Sequence, residues 1–170
     1  ILKTLENKNF AADSRRPAIR ILGHAQAHSL STYASPDHFD ALPAGRCGPE
    51  AFGRAGVTAA DVDVALLYDC FTIVVLLQLE DLGFCAKGEG GAFIADRQAY
   101  IGGATPVNVD GGLKAKGHPI GATGVSMACE IVSQLRGDSG ARQVPQADLG
   151  LTHNVGGIGQ YCFVHIYRRD

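Results

Sequence analysis

Apolar blocks separated by glycine-, proline- and serine-rich stretches give this chain its outline. The first block, 17–27, is bounded by Pro17 and Gly23 and predicts a strand near Ala18–His24. Residues 28–47 are rich in Ser, Pro, Asp and Gly and predict a long loop. A short helix is expected over 48–56, with Pro49 in its first turn and Gly56 just past its end. Thr58 then offers an N-cap for a helical turn, followed by a buried strand, Val62–Tyr68. The run 71–84 is apolar enough for a strand, but its length and its stop at Gly83 predict a buried helix. Residues 85–103 read as a glycine-rich excursion and 105–112 as a short strand. A helix is predicted over 118–138: Pro119 fits its first position, and Ile120, Gly124, Ala128, Ile131 and Leu135 recur at three- to four-residue spacing. Strands at 147–154 and 160–169 flank the tight turn 155–159, as in a hairpin. Alternating helices and strands that close on an antiparallel pair predict an α/β domain with a mixed sheet. Residues 1–16, of mixed charge and no period, read as a lead-in segment to a domain spanning 17–170.

Composition removes several function classes. At 170 residues, 46% of them apolar, the chain is one domain or one lobe of something larger, with enough apolar surface for a sizeable core. Its formal net charge is −2 with Lys and Arg scattered, so neither a nucleic-acid stripe nor a polybasic membrane patch is expected. No apolar run approaches the ~20 residues of a membrane span. Five cysteines form neither a CxxC pair nor a disulfide-like framework, which points to a reducing, cytoplasmic setting. No histidine pair has ligand-like spacing with a third partner, so no metal is expected. A start at Ile1 suggests a piece of a longer protein or an uncaptured beginning.

Candidate chemistry centres on residues 111–124, GGLKAKGHPIGATG. With Pro119 in a first helical turn, His118 stands at or beside the N-cap, next to backbone amides that have no partner inside the helix. The helix dipole disfavours a charged imidazole there, so His118 is expected to be neutral. Such a ring can donate to a developing oxyanion or take a proton from a thiol. Gly111, Gly112 and Gly117 would let a ligand reach the backbone. The plain alternative is a glycine-rich turn whose histidine only caps a helix.

The longer string Asn108–Gly124, NVDGGLKAKGHPIGATG, closely resembles the thiolase segment N-x-x-GG-x-x-x-GHP-x-GA-[ST]-G. Upstream, AGVTAADVDVALLYDCFT (55–72) resembles the thiolase sequence of short helix, strand and four-residue catalytic loop. That loop is Asn-Glu-Ala-Phe in the classical enzymes, His-Asp-Cys-Phe in the sterol-carrier-protein type, and Tyr68-Asp69-Cys70-Phe71 here. Downstream, LTHNVGGIGQYCFVHIYRR resembles the closing strands of the sterol-carrier-protein type. The resemblance covers ~17–168 and implies the C-terminal lobe of a thiolase-like protein. In the full protein that lobe holds a mixed five-stranded sheet with helices on both faces.

Site roles follow from the resemblance. His118 matches the histidine that activates the nucleophilic cysteine and helps to form an oxyanion hole. Tyr68 stands where Asn or His holds a catalytic water, and Cys70 where the sterol-carrier-protein type places its second acid/base. Gly156 and Gly157 fall where backbone amides line the site near the substrate carbonyl, and Gly117 is counted as substrate-binding because it lets a ligand reach the backbone. His153 and Asn154 take the place of the classical Cys-x-Gly, and His153 either touches the site or satisfies loop carbonyls. The attacking cysteine of thiolases lies in the other half, and none of the five here fits that role. Cys129 is expected in the helix core, Cys162 in strand packing, and Cys47 and Cys85 in loops. This segment alone is therefore expected to be inactive in acyl transfer.

A tyrosine at position 68, with Tyr161 as a second candidate, suits retro-aldol cleavage of a β-hydroxyacyl thioester. YDCF resembles the lipid-transfer-protein aldolases, which work with an OB-fold partner. Three readings follow, in this order: an acyl-CoA acyltransferase of the acetyl-CoA acetyltransferase or 3-ketoacyl-CoA thiolase type; an aldolase of steroid or branched acyl-CoA; a non-catalytic lipid-carrier or dimerisation lobe. The implied ligand is an acyl-CoA thioester as substrate, with no tightly bound cofactor. An inner helix starting at His118 would leave about a few hundred Å² of apolar surface bare, so the chain is expected to associate with its missing half or with another copy; the resemblance implies a dimer or tetramer.

Overall fold

The structure, a computed structural model, describes residues 16–29, 42–157 and 159–170. Most of the lead-in segment and of the predicted 28–47 loop, with His38, lie outside them. Strand β1 is Ile19–His28, helix α1 Ala44–Ala55, and β2 Val64–Leu67. Then come α2 (Thr72–Asp81), α3 (Gly90–Ala95), α4 (Gly112–Lys116) and α5 (Thr123–Arg136), and the chain closes with β3 (Leu149–Gly156) and β4 (Tyr161–Arg169).

The strands form one mixed sheet in the order β1-β4-β3-β2. β2 and β3 run parallel, and β4 is antiparallel to both β3 and β1. All four residues of β2 are buried, as befits a strand covered on both faces. Ala65 and Leu67 join Leu79, Leu151, Val155, Val164 and Ile166 under α1 and α2. Val64 and Leu66 pack on the other face against Met127, Ile131 and Leu135 of α5. Helices therefore cover both faces of the sheet. Along β1, the outermost strand on one side of the described sheet, Arg46 and Arg54 of α1 donate to the carbonyls of His28 and His24 at 2.6 and 2.7 Å.

Several expectations change. β1 continues to His28, so His24 and His28 are strand residues; their rings lie 6.1 Å from His165 and Tyr161 across the β1–β4 pair. Helix α1 starts at Ala44, which puts Pro49 inside it and makes Cys47 a buried helical residue, not a loop one. The start is hard to read because Pro43 at the N-cap has no side chain to close it. Only Gln78 and Leu79 of α2 are buried, so it is a surface helix, with Phe71 and Ile73 largely exposed. The strand expected at 105–112 contracts to one parallel bridge, Val107 to Ala65, on the outer side of β2. Thr58 does stand at the N-cap of its turn, where its backbone N–H and hydroxyl both donate to the Asp61 carboxylate, each at 2.7 Å.

The largest revision concerns α5. Pro119 leads a turn, not a helix: Ala122 N–H donates to the Pro119 carbonyl at 2.9 Å, and Gly121 takes φ +86°. That left-handed residue holds the helix off until Thr123. The apolar stripe therefore begins at Met127, and Ile120 is almost fully exposed. Cys129 faces outward as well, so it is not a core residue; the inward positions are Met127, Ile131 and Leu135.

Candidate active site

The site forms where β2 ends. Strand direction there is continued by side chains. On one side, Asn108 accepts from Leu67 N–H at 2.8 Å and donates to the Leu67 carbonyl at 2.9 Å. This side-chain amide acts as a rung of sheet ladder where no strand remains. The next residue, Tyr68, turns its backbone the other way, as successive strand residues do. Its N–H meets the His153 carbonyl at 3.1 Å and Gln78 Oε1 at 3.0 Å, and its carbonyl accepts from Gln78 Nε2 at 2.7 Å.

Asp69 makes the next tie. Its carboxylate accepts from Leu113 N–H at 3.1 Å, in the first turn of α4. That short helix, with Lys116 paired to Asp110, delivers the chain to Gly117 and His118. The loop 68–71 and the 111–124 segment are thus joined through Asn108, Asp69 and the His118 ring.

His118 and Tyr68 meet edge to face, ring centroids 5.4 Å apart, with Tyr68 Oη 2.8 Å from His118 Nε2. His118 Nδ1 lies 2.7 Å from Thr123 Oγ1, and Thr123 donates to the Pro119 carbonyl at 3.5 Å. That use of the threonine proton assigns a hydrogen to Nδ1 and a lone pair to Nε2, which accepts from the phenol. Although Pro119 is not the first helical residue, the ring is still tethered to the start of α5 through Thr123. Burial first, then the neighbouring Cys70 and Asp69, push the Tyr68 phenol above its ordinary value, which keeps it a donor. Burial also pushes the Cys70 thiol up, aided by the Asp69 charge and opposed by the Phe71 amide. Cys70 itself is exposed.

The remaining sequence candidates divide. Gly117 is exposed beside His118, at φ +88°. Asn154 packs its amide against Gly124 in the first turn of α5, and its Oδ1 has no partner among the described residues. Gly156 ends β3 and lies against the Tyr161 ring, and Gly157 follows in the turn. Tyr161 is half exposed at the start of β4, beside His28. It is at the same end of the sheet as Tyr68 but makes no described hydrogen bond or ring contact with Tyr68 or His118. His153 is neither on the site surface nor at a loop carbonyl. It sits inside β3, fully buried, with Nδ1 2.6 Å from Gln78 Oε1. No group of three or more His, Cys, Asp or Glu among the described residues could hold a metal ion. No helix among them is long and apolar enough to cross a membrane.

Burial depresses the His153 pKa to about 3, against ~6.5 for a free histidine. Between those values the unfolded chain binds a proton that the folded chain refuses. Stability is therefore fully present above pH ~6.5 and declines as pH falls from there toward 3, by up to roughly 1.4 kcal/mol per pH unit. Urea denaturation at stepped pH should show this acid limb, and His153→Leu should flatten it. An unchanged limb in that variant would assign the slope to other groups.

Residues the sequence reading passed over are Gln78, Asn108, Asp69 and Thr123. Asn108 and Thr123 carried a signal, since both stand inside the 108–124 string. Gln78 carried a weaker one, as the single amide in the apolar run 73–79.

The profile of the family described as "Thiolase C-terminal domain-like" matches residues 24–169. Acetyl-CoA acetyltransferase of Methanothermobacter thermautotrophicus is 52% identical over 119 residues, 70% of this chain and 31% of that protein. Sterol carrier protein 2 of Rattus norvegicus is 44% identical over 119 residues, 70% of this chain and 22% of that protein. Among solved structures, "Ltp2-ChsH2(DUF35) aldolase" superposes with a TM-score of 0.80 at 32% identity, covering 91% of this chain and 40% of that one. The chain thus spans between about a fifth and two fifths of these relatives. It belongs to the thiolase C-terminal domain-like family.

Proposed function

We propose that this chain is the C-terminal lobe of a thiolase-fold enzyme that cleaves a carbon–carbon bond in a β-hydroxyacyl-CoA thioester. The observation that carries the reading is the 2.8 Å bond between Tyr68 Oη and His118 Nε2. An imidazole that activates a thiol needs that nitrogen free toward the thiol. Here a phenol holds it, and a phenol bonded to a base is a relay suited to an alcohol. This reverses the order of the sequence reading, which put acyl transfer first.

In this mechanism Tyr68 takes the substrate's hydroxyl proton as its own passes to His118 Nε2. The hydroxyl oxygen becomes a carbonyl, the Cα–Cβ bond breaks, and its electron pair enters the thioester as an enolate. A ketone or aldehyde departs. The Cys70 thiol protonates the enolate carbon to give the shortened acyl-CoA, and the proton held on His118 is returned to the thiolate through water. Partners that accompany this reading are an acyl-CoA thioester, a second copy of the chain in a dimer or tetramer, and a small OB-fold protein. The paired name of the aldolase neighbour supports the last of these.

The second reading is acyl transfer, favoured by the 52% identity to an acetyl-CoA acetyltransferase. Mass spectrometry of the full-length protein with a branched β-hydroxyacyl-CoA separates the two. Release of free ketone with a shortened acyl-CoA is expected. No cleavage, together with 3-ketoacyl-CoA formed from two acyl-CoA molecules, would overturn the aldolase reading in favour of transfer.

A further inference from the structure

We propose that Gln78 is a positioning residue that sets where the Tyr68 hydroxyl meets His118, working as a pair with the buried His153. Its role in catalysis rests on the reaction proposed above; its role in geometry does not.

Gln78 is fully buried and uses both ends of its amide. Nε2 donates to the Tyr68 carbonyl at 2.7 Å and to the Val74 carbonyl at 3.0 Å. Both its hydrogens are then committed to carbonyl oxygens, which can only accept, so the amide orientation is fixed. Oε1 must accept, and it takes Tyr68 N–H at 3.0 Å and His153 Nδ1 at 2.6 Å. His153 therefore carries its proton on Nδ1. The ring has no other described partner: Nε2 is buried and unbonded among the described residues. A histidine in that position stabilises little by itself; what it does is hold the Gln78 oxygen.

Tyr68 is the last residue before the loop, so without Gln78 its carbonyl would lack a described partner. The amide grips that residue on the N–H and C=O together. With Asn108 gripping Leu67 from the opposite side, and β3 accepting the Tyr68 N–H at the His153 carbonyl, two consecutive peptide units are fixed where β2 ends. Fixing the backbone of Tyr68 fixes its Cα–Cβ direction, and with it the reach of a rigid ring toward His118. A relay of this kind tolerates little displacement, because proton transfer falls away outside hydrogen-bond range. Gln78 is fully buried and makes no described bond to His118; of the site residues it bonds Tyr68, so it acts through Tyr68.

The test uses the full-length protein with ¹⁵N-labelled histidine. In the wild type the His118 Nε2 resonance should carry the shift of a nitrogen that accepts from a phenol, and Tyr68→Phe defines the value without it. Gln78→Met should move that resonance most of the way to the Tyr68→Phe value. It should also lower kcat for cleavage about 10- to 30-fold with KM within twofold, a modest share of what general acid–base catalysis supplies. A wild-type resonance and a kcat within twofold would overturn the proposal. If Gln78→Met does not fold, Gln78→Met with His153→Leu is read instead. That pair removes both ends of the buried bond and leaves no orphaned imidazole; the same shift is expected, and its absence overturns the proposal. The two inferences fail separately. A resonance that moves in a protein with no cleavage activity would retain the positioning role and remove the aldolase reading.

Discussion

Tyr68→Phe is expected to abolish nearly all carbon–carbon cleavage while leaving acyl-CoA binding intact. The substitution deletes one oxygen and keeps the ring, so the packing of Tyr68 beside its loop survives. What disappears is the one group bonded to His118 Nε2 among the described residues. General acid–base catalysis contributes roughly 10²- to 10⁴-fold, and a relay that loses its middle member should lose about 10³ in kcat. Calorimetric binding of a substrate analogue should change less than threefold. His118→Ala should cost about as much, and the double variant little more than either single one, because the two groups act as a unit. Additive losses, or a Tyr68→Phe enzyme with near-normal kcat, would show that the phenol is a bystander.

The second large effect concerns stability. Gly23→Ala should destabilise the fold by about 3 kcal/mol, at the upper end of what overpacking costs. β1 is interrupted near Leu22, where its register against β4 shifts by one residue between Ile21 and Gly23. The kink brings Gly23 onto α1. A methyl group there would overlap the Ala51 carbonyl oxygen and come within 2.9 Å of the Ala55 nitrogen. Both obstacles are helical backbone, which cannot rotate aside as a side chain can. Urea unfolding of the two proteins in parallel checks this. A loss under 1 kcal/mol would mean that α1 slides on the sheet more freely than its packing indicates.

Much of the fold was legible because its signals are local. The unbroken apolar run Val64–Leu67 and the spacing of Ile131 and Leu135 survive in the bare sequence, as does the hairpin around 155–159. The misreadings arose where a local rule met a competing one. Proline at 119 normally opens a helix, but Gly121 two residues later turns the chain first. Strand-like residues at 105–112 were given to side-chain work instead, with Asn108 clamping Leu67. Within the site, Tyr68 and His118 announced themselves by their neighbours in sequence. Gln78 did not, because its partners are 10 and 75 residues away and its polarity makes sense only once burial is known. His153 was misjudged for the same reason: an imidazole at a presumed strand end looks available, whereas it is fully buried inside β3.

The arginines of α1 also bear on how this protein resists edge-to-edge strand addition. A sheet's outermost strand presents carbonyls that an extended peptide could adopt as a template, the first step toward fibrils. Two planar cations, seated four residues apart on His24 and His28, occupy acceptors along that border and place charge where a newcomer would have to lie. Growth by lateral recruitment is thereby discouraged on the β1 flank, without any need for a proline or a shortened strand.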